Sequence, residues 1–378
     1  MGIVDEDVAR VRAATDIVAL VTEHMALRRS GRRWVGLCPF HAEKSPSFSV
    51  NAEEGLYYCF GCGVSGDAIT FVREIEHLDF VEAVGKLAAR ASIALRRDDD
   101  RAGRDFQRRS RLHEILDRAF TAYHELLVSS PGASPARRYL RAERGYDSAV
   151  VRRYRLGWAP ERPDRLLESL GASRTELRDA GLMQVGDDGR AHDFFRGRLL
   201  FPILDPGGRA VGAGGRILPG GRGPKYKNSP NTAAYDKSRV LYGLNWAKTA
   251  VVDREQVVVC EGYTDVIGLH LAGVEEAVAT CGTSLAEGHI RLLTNFARRV
   301  VLAYDADSAG QAATERFYEW EKRFEVEIRV AALPAGSDPA DMARSDPEAL
   351  RAAVAGARPY LAFQVDRVLH QADMSSPE

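Results

Sequence analysis

Apolar residues fall at helical spacing through the first third of the chain. In residues 5–25 they are Val8, Val11, Ile17, Leu20 and Val21. Ile69, Phe71, Val72 and Ile75 follow Gly66-Asp67, and a third such stretch covers 80–91. Residues 111–128 place Leu112, Ile115, Leu116, Phe120, Tyr123 and Leu127 on one face. This period predicts four helices. Residues 135–250 keep no single rhythm and predict a mixed α+β region, with glycine-rich turns at 207–208, 212–215 and 220–223. From 256 the pattern changes again. Short apolar runs at 257–260, 276–280, 300–303 and 326–333 predict buried strands, with helices between them, one at 310–323. Strand and helix in alternation predict a parallel sheet with covering helices. The tail from Asp366 reads as helical, then polar.

Between these patterns lies a charged stretch, 96–110, with one aromatic and no aliphatic residue beyond alanine. It cannot build a core, so it predicts a tether or the solvated start of the next helix. A basic strip touching a nucleic-acid backbone is the sharper alternative. The expected division is 1–95, a charged linker at 96–110, an α+β part at 111–240, the parallel-sheet part at 241–345 and a helical part at 346–378.

Composition narrows the class. With 378 residues, 45% apolar and 28% charged, the chain has material for two or three domains. A formal net charge of −1 means that nucleic-acid contact must come from local patches. The N-terminus lacks a basic and apolar leader, and no apolar run is long enough to span a membrane. Of five cysteines, Cys260 and Cys281 sit in apolar stretches and read as reduced core thiols, which suits a cytoplasmic protein.

The other three cysteines stand with a histidine as Cys38-Pro-Phe-His41 and Cys59-Phe-Gly-Cys62. Two pairs, each with two residues between, can turn back onto one ion. This is the spacing of a closed, tetrahedral Cys3His site for one structural Zn2+. Around it, Trp34, Phe40, Tyr58 and Phe60 offer stacking faces for single-strand bases. For Phe40 and Phe60, packing around the zinc is an equal alternative.

Carboxylates follow the predicted strands. Glu261-Gly-Tyr-Thr-Asp265 follows the first, Asp305-Ala-Asp307 the third, and Asp338-Pro-Ala-Asp341 the last. The carboxyl ends of parallel strands line a functional crevice, so Glu261, Asp305, Asp307 and Asp338 are expected to converge. Carboxylates gathered without arginine partners call for a hard cation, Mg2+ or Mn2+, and two such ions drive phosphoryl transfer. Upstream lies a basic segment: Gly212-Ala-Gly-Gly-Arg216, then Lys225-Tyr226-Lys227-Asn228, then Lys237. Its glycines would let a backbone approach phosphates that the lysines and arginine neutralise.

At this point the chain resembles bacterial DnaG-type primases, over residues 1 to about 370. Gly36-Leu-Cys-Pro-Phe-His-Ala-Glu-Lys-Ser-Pro-Ser-Phe48 and Tyr58-Cys-Phe-Gly-Cys-Gly63 are similar to the family's zinc-ribbon signature. Arg153, in Arg-Tyr-Arg-Leu-Gly-Trp-Ala-Pro, resembles an element near the template path, and Arg216, Lys225, Tyr226, Asn228 and Lys237 fall on the basic motif. Glu261-Gly-Tyr-Thr-Asp265 and Asp305-Ala-Asp307 resemble the Toprim signature.

The resemblance implies a zinc ribbon, a mixed α+β subdomain, a Toprim α/β subdomain at 241–345 and a helical tail. It implies DNA-directed RNA synthesis: short primers made from ribonucleoside triphosphates on single-stranded DNA for replication. Glu261, Asp305, Asp307 and Asp338 would hold two magnesium ions, Arg216, Lys225, Lys227 and Lys237 would grip triphosphate or template, and Asp265 would position a nucleotide or water. The protein would act in the cytoplasm at the nucleoid, as a monomer. Two departures stand out. The family's Asp-Pro-Asp is here Asp338-Pro-Ala-Asp341, and a C-terminal domain that docks on the replicative helicase is expected but does not follow Glu378, as in a trimmed form. The competing readings are a non-catalytic zinc/Toprim DNA-binding scaffold or another Toprim enzyme. A topoisomerase would need a further DNA-gate domain, and a fused helicase a P-loop, which the sequence lacks.

Overall fold

The computed structural model describes residues 3–371 except 42, 44, 77, 97–99, 162–169, 187–188, 283, 304–310 and 335–336. The chain divides into two compact units, 1–108 and 109–378.

The first unit is an antiparallel meander of five strands in sequence order: β1 Arg28–Ser30, β2 Arg33–Gly36, β3 Phe48–Asn51, β4 Leu56–Cys59 and β5 Ser65–Asp67. Period-two alternation sends Phe48, Val50, Tyr57 and Cys59 to one buried face. There Phe48 stacks on Tyr57 with ring centres 5.0 Å apart, against Phe71 of helix Ala68–Glu76. Helix Phe80–Arg90 completes the core with Val84 and Leu87. The helix expected at 5–25 is two helices, Asp5–Ala14 and Ile17–Thr22. The break lies at Thr15, whose backbone is extended, and Asp16, whose carboxylate accepts the N–H groups of Val18 and Ala19. An N-cap residue has non-helical backbone, so a capping aspartate restarts the helix there.

Asp7 is fully buried, and its Oδ2 accepts the backbone N–H of Arg96 at 2.6 Å. Hydrogen bonds from Arg96 hold its carboxyl down at about 2. Arg96 is thus fastened to the first unit. Within the expected linker, residues from 100 onward are helical, because helix Asp100–Ser129 starts there and runs through the stretch predicted at 111–128.

The second unit contains two main sheets. An antiparallel one has the order β11-β10-β9-β6, from β6 Gly157–Ala159, β9 Arg198–Leu204, β10 Ala210–Ile217 and β11 Tyr226–Asn228; β7 Met183–Val185 and β8 Ala191–Asp193 pair separately. Here 212–215 is not a turn. These residues lie inside β10, and the space of their missing side chains is taken by neighbours: a Cβ on Gly214 would fall 2.1 Å from the Tyr263 ring and one on Gly215 2.8 Å from Phe195. The glycines at 220 and 223 do turn, with φ of +81° and +110°.

The other sheet has the order β13-β12-β14-β15-β16, from β12 Gln256–Cys260, β13 Ala277–Ala279, β14 Arg299–Leu302, β15 Glu327–Val330 and β16 Arg358–Pro359. The first four strands are mutually parallel and β16 is antiparallel to β15. Val257, Val258, Val259, Val300, Val301 and Ile328 have no exposure, as expected of strands covered on both faces. Helix Leu244–Arg254 precedes β12, and helices Tyr263–Leu271, Glu287–Leu293 and Gln311–Phe324 lie between the parallel strands in sequence. Cys260 and Cys281 are buried free thiols. No helix among the described residues is long and apolar enough to cross a membrane.

Candidate zinc and acidic sites

Cys38 follows β2, His41 lies in the loop before β3, Cys59 ends β4 and Cys62 lies in the turn to β5. The four ligand atoms come within 4.8 Å of one another, with Cys38 and Cys62 sulfurs 3.9 Å apart and Cys59 Sγ 3.7 Å from His41 Nδ1. Bonds of about 2.3 Å to sulfur at tetrahedral angles bring ligand atoms to such separations, so the donor set fits zinc. Burial pushes the Cys38 thiol up; at Cys59 burial pushes the same way but is outweighed by the hydroxyl of Ser47, 3.1 Å from Sγ, and by nearby backbone N–H groups, which lower that thiol to about 6. A cation at the centre balances the thiolates that such a site gathers.

The sequence reading left out the residues that hold these ligands. Glu43 is central. His41 Nε2 lies 3.2 Å from its carboxylate, which also accepts the Cys38 and Ser47 backbone N–H groups at 2.7 and 3.1 Å and the Ser47 hydroxyl. A histidine whose second nitrogen meets a carboxylate has its ring orientation fixed for the metal. Gly61 is required by space, since a Cβ there would sit 2.6 Å from His41 Nε2. A carboxylate two places after the ligand histidine was the available signal for Glu43.

The four aromatic candidates separate. Phe40 packs into the core against Phe48, Tyr57 and Phe71, and Trp34 is half-buried. Tyr58 and Phe60 are 44% and 69% exposed and meet edge to face with centres 4.9 Å apart. Tyr58 shares its sheet face with Ser49, Asn51 and Arg33, which with Leu56 line a shallow groove of about 300 Å³.

In the second unit, Glu261 follows β12 directly and is exposed. Asp338, also exposed, caps helix Pro339–Ser345 by accepting the Asp341 N–H at 2.7 Å. Asp265, 9% exposed, accepts the Gly262 N–H at 2.9 Å in the first turn of helix Tyr263–Leu271. Burial first, then the charges of Asp338 and Glu261, raise its carboxyl to about 6. The carboxyl end of β12 therefore brings these three acids near one another. None of them forms an ion pair among the described residues, and oxygen donors of this kind suit a hard cation. They are less tightly gathered than the cysteines: among the described residues, the Cys3His quartet is the one group of three or more potential ligands within 4.8 Å. Asp305 and Asp307 lie outside the described residues.

The basic motif is spread over β10, β11 and the loop beyond. Arg216 is 9% exposed, its guanidinium 5.2 Å from the ring centre of Tyr139 and 5.3 Å from that of Tyr226, to whose hydroxyl it donates at 2.7 Å. Among the described residues it pairs with no carboxylate, and its Nε has no partner. Lys225 and Lys237 are exposed, and so is Arg153 at the end of helix Ser148–Arg153. Lys227 turns elsewhere. It donates to the Phe194 carbonyl at 2.9 Å and to Gln184 at 3.2 Å, with its ammonium 3.8 Å from the Phe194 ring centre, and burial lowers its pKa. Asn228 spends its amide within the protein, on Tyr263 and Cys281. The glycines of β10 admit side chains, and the approach to phosphates expected of them is closed by Tyr263 and Phe195.

Three family models match in succession: the CHC2 zinc finger at 3–103, the DNA primase catalytic core N-terminal domain at 122–248 and the Toprim-like family at 258–343. The chain is 43% identical to the DNA primase of Streptomyces coelicolor over 99% of its own length and 38% identical to that of Escherichia coli over 97%. It spans 60% and 64% of the length of those relatives. Its structure is similar to the RNA polymerase domain of Mycobacterium tuberculosis primase DnaG (TM-score 0.63, 37% identity, 70% of this chain and 88% of that one). It is also similar to the zinc-binding and RNA polymerase domains of Aquifex aeolicus primase (0.60, 31%, 95% and 87%) and to a DnaG primase catalytic domain bound to single-stranded DNA (0.64, 37%, 72% and 86%). With a Cys3His ribbon, a mixed α+β core and a parallel Toprim sheet in this order, the chain belongs to the DnaG-type DNA primase family.

Proposed function

We propose that the chain carries out template-directed synthesis of short RNA primers on single-stranded DNA from ribonucleoside triphosphates. The observation that carries this reading is the meeting of Glu261, Asp265 and Asp338 beyond a parallel strand, outside any ion pair among the described residues, in a unit that also buries an arginine, Arg216, which meets no carboxylate among those residues. A buried guanidinium lacking a carboxylate is a place for an anion. Carboxylates gathered outside any ion pair are a place for a cation. A metal-bound triphosphate answers both needs.

Glu261 and Asp338, with Asp305 and Asp307, are the proposed ligands of two magnesium or manganese ions. When bound, these would activate a 3′-hydroxyl and stabilise the departing pyrophosphate. Asp338 gives one oxygen to the Asp341 N–H and keeps the other for a ligand. Asp265, buried and already bonded to Gly262, acts behind Glu261, on a nucleotide or on a water. Arg216, Lys225 and Lys237 neutralise phosphates of nucleotide or template, and Arg153 lies on the template path. Lys227 and Asn228 support that surface from within. On the zinc unit, Tyr58 and Phe60 stack bases while Arg33 meets the backbone. The replicative helicase, reached through a C-terminal domain, a monomeric state and a place at the bacterial nucleoid complete the proposal.

The test is primer synthesis on mixed single-stranded DNA with labelled ribonucleotides and magnesium, comparing the parent with Glu261→Gln and Asp305→Asn. Short RNA from the parent and none from the variants is the expected result. A silent parent with zinc bound and DNA binding intact would favour the scaffold reading.

A further inference from the structure

We propose that Asn228 is a positioning residue that clamps the backbone on both sides of Glu261 and so ties the placement of that carboxylate to the basic strand β11. Asn228 lies on β11 opposite Gly214 of β10. Its Oδ1 accepts the Tyr263 hydroxyl at 2.9 Å, and its Nδ2 donates to the Cys281 carbonyl at 2.6 Å. Tyr263 is two residues after Glu261. Cys281 reaches Glu261 by another route, donating its backbone N–H to the Glu261 carbonyl at 3.1 Å. One side chain therefore holds the chain that leaves Glu261 and the loop that grips the Glu261 backbone.

The surroundings are built for this clamp. Cys281 has φ of +53°, a left-handed conformation that is strained for a residue with a side chain. Such backbone persists when its surroundings over-determine it. Here the two hydrogen bonds from Asn228 and to Glu261 hold the Cys281 peptide groups. Gly282 is next, at φ +85°, and a Cβ there would come 2.8 Å from Asn228 Nδ2. On the other side, the absence of a Cβ at Gly214 makes room for the Tyr263 ring, which stacks on Phe201 with centres 5.1 Å apart and meets Tyr242 edge to face at 4.9 Å. The Tyr263 hydroxyl is thus delivered to Asn228 by a packed ring. Both polar ends of the amide are used within the protein, which places Asn228 behind the site, acting through Glu261.

The activity readout rests on the primase reading; the other two readouts do not. Asn228→Ala is expected to lower kcat for primer synthesis about ten- to a hundredfold, the usual cost of removing a group that orients a ligand, while KM for ribonucleotides stays within about twofold. Manganese binding, read from the free Mn(II) electron-spin resonance signal with no nucleotide present, is expected to weaken in the same variant. Tyr263→Phe removes one hydroxyl from the clamp and is expected to shift both readouts in the same direction by less; it serves if Asn228→Ala fails to fold. Thermal melting of both single variants and the double variant should be non-additive, because they break a shared bond.

A raised KM with unchanged kcat would overturn the proposal in favour of a substrate contact by Asn228. Unchanged manganese affinity in both variants would overturn it as well. Should the parent make no primers, the primase reading fails alone, and the manganese and melting results still decide the clamp.

Discussion

The zinc ribbon and the acidic edge are both places where anionic side chains gather, and they are held together in opposite ways. The cysteines and histidine come from one stretch of 25 residues, and their geometry closes on itself within 4.8 Å. Glu43 and Ser47 brace them, and the core beneath packs the rings of Phe48, Tyr57 and Phe71 with aliphatic side chains such as Val84 and Leu87. The acidic edge brings Asp338 from far along the chain to the Glu261–Asp265 motif, and its scaffold is a sheet of fully buried valines with helices around it. A closed site can serve as the fold's own fastening. An open site needs a fold that stands without its ions.

The largest effect that could break this contrast is metal removal. A strong chelator should unfold the meander at 30–66, since structural zinc supplies apparent binding free energies of about 10–16 kcal/mol in small zinc domains. The parallel sheet should keep its slow amide exchange. Hydrogen exchange by mass spectrometry, with and without chelator, separates the two regions; loss of protection in β12 and β14 together with β3 and β4 would end the picture of independent fastening.

A smaller effect probes the scaffold of the open site through pH. His270 is 5% exposed, at the end of the helix that begins beside Glu261. Its Nε2 lies 2.9 Å from the Ala277 carbonyl and its Nδ1 2.9 Å from the Tyr154 hydroxyl. A carbonyl only accepts, so Nε2 carries the proton and Nδ1 accepts from Tyr154. Burial lowers this histidine from 6.5 to about 4. The unfolded chain then binds more protons between those values, so stability is intact above about pH 6.5 and falls as pH drops towards 4, by about 3 kcal/mol in all. Urea melts of the second unit's signal at pH 7.5, 6 and 5 should show the fall, and His270→Gln should flatten it. An equal slope in parent and variant would assign the loss to other groups.

These two regions also differ in how openly the sequence displays them. Ligand spacing is local, and Cys38, His41, Cys59 and Cys62 could be paired by counting. The parallel sheet was legible too, because strands buried on both faces are runs of valine. What sequence conceals is competition between neighbours for space and for hydrogen bonds. Gly212-Ala-Gly-Gly215 has the look of a phosphate loop, yet a tyrosine ring from beyond β12 and the phenylalanine at 195 occupy those gaps. Lys227 has the look of a phosphate ligand, yet a carbonyl and an aromatic face claim its ammonium. The helix expected at 5–25 was divided by a capping aspartate that periodicity alone passes over.

Glu43 sharpens the comparison from the zinc side. Glu43→Gln keeps the shape of the side chain and removes its charge from His41 Nε2. Zinc affinity should weaken about ten- to a hundredfold, measured by competition with a chromophoric chelator. Primer synthesis by the second unit's site should be spared when zinc is saturating. Unchanged affinity would mean that the cysteines alone set the site.

The smallest expected effect concerns Arg216, the buried cation of the open region. Its guanidinium lies between the rings of Tyr139 and Tyr226 and donates to the Tyr226 hydroxyl. Lysine would keep the charge and lose the planar contact with both rings, and it cannot reproduce the fork of donors that grips a phosphate. Stacking of a cation on an aromatic face is worth about 0.5–2 kcal/mol. Arg216→Lys should therefore weaken ribonucleotide binding by roughly three- to thirtyfold while the fold survives, and Arg216→Met should weaken it further. Fluorescent-nucleotide titration with magnesium present would read this. If methionine binds nucleotide as well as arginine does, the buried charge serves the Tyr139–Tyr226 packing alone, and the phosphate must be met by Lys225 and Lys237 at the surface.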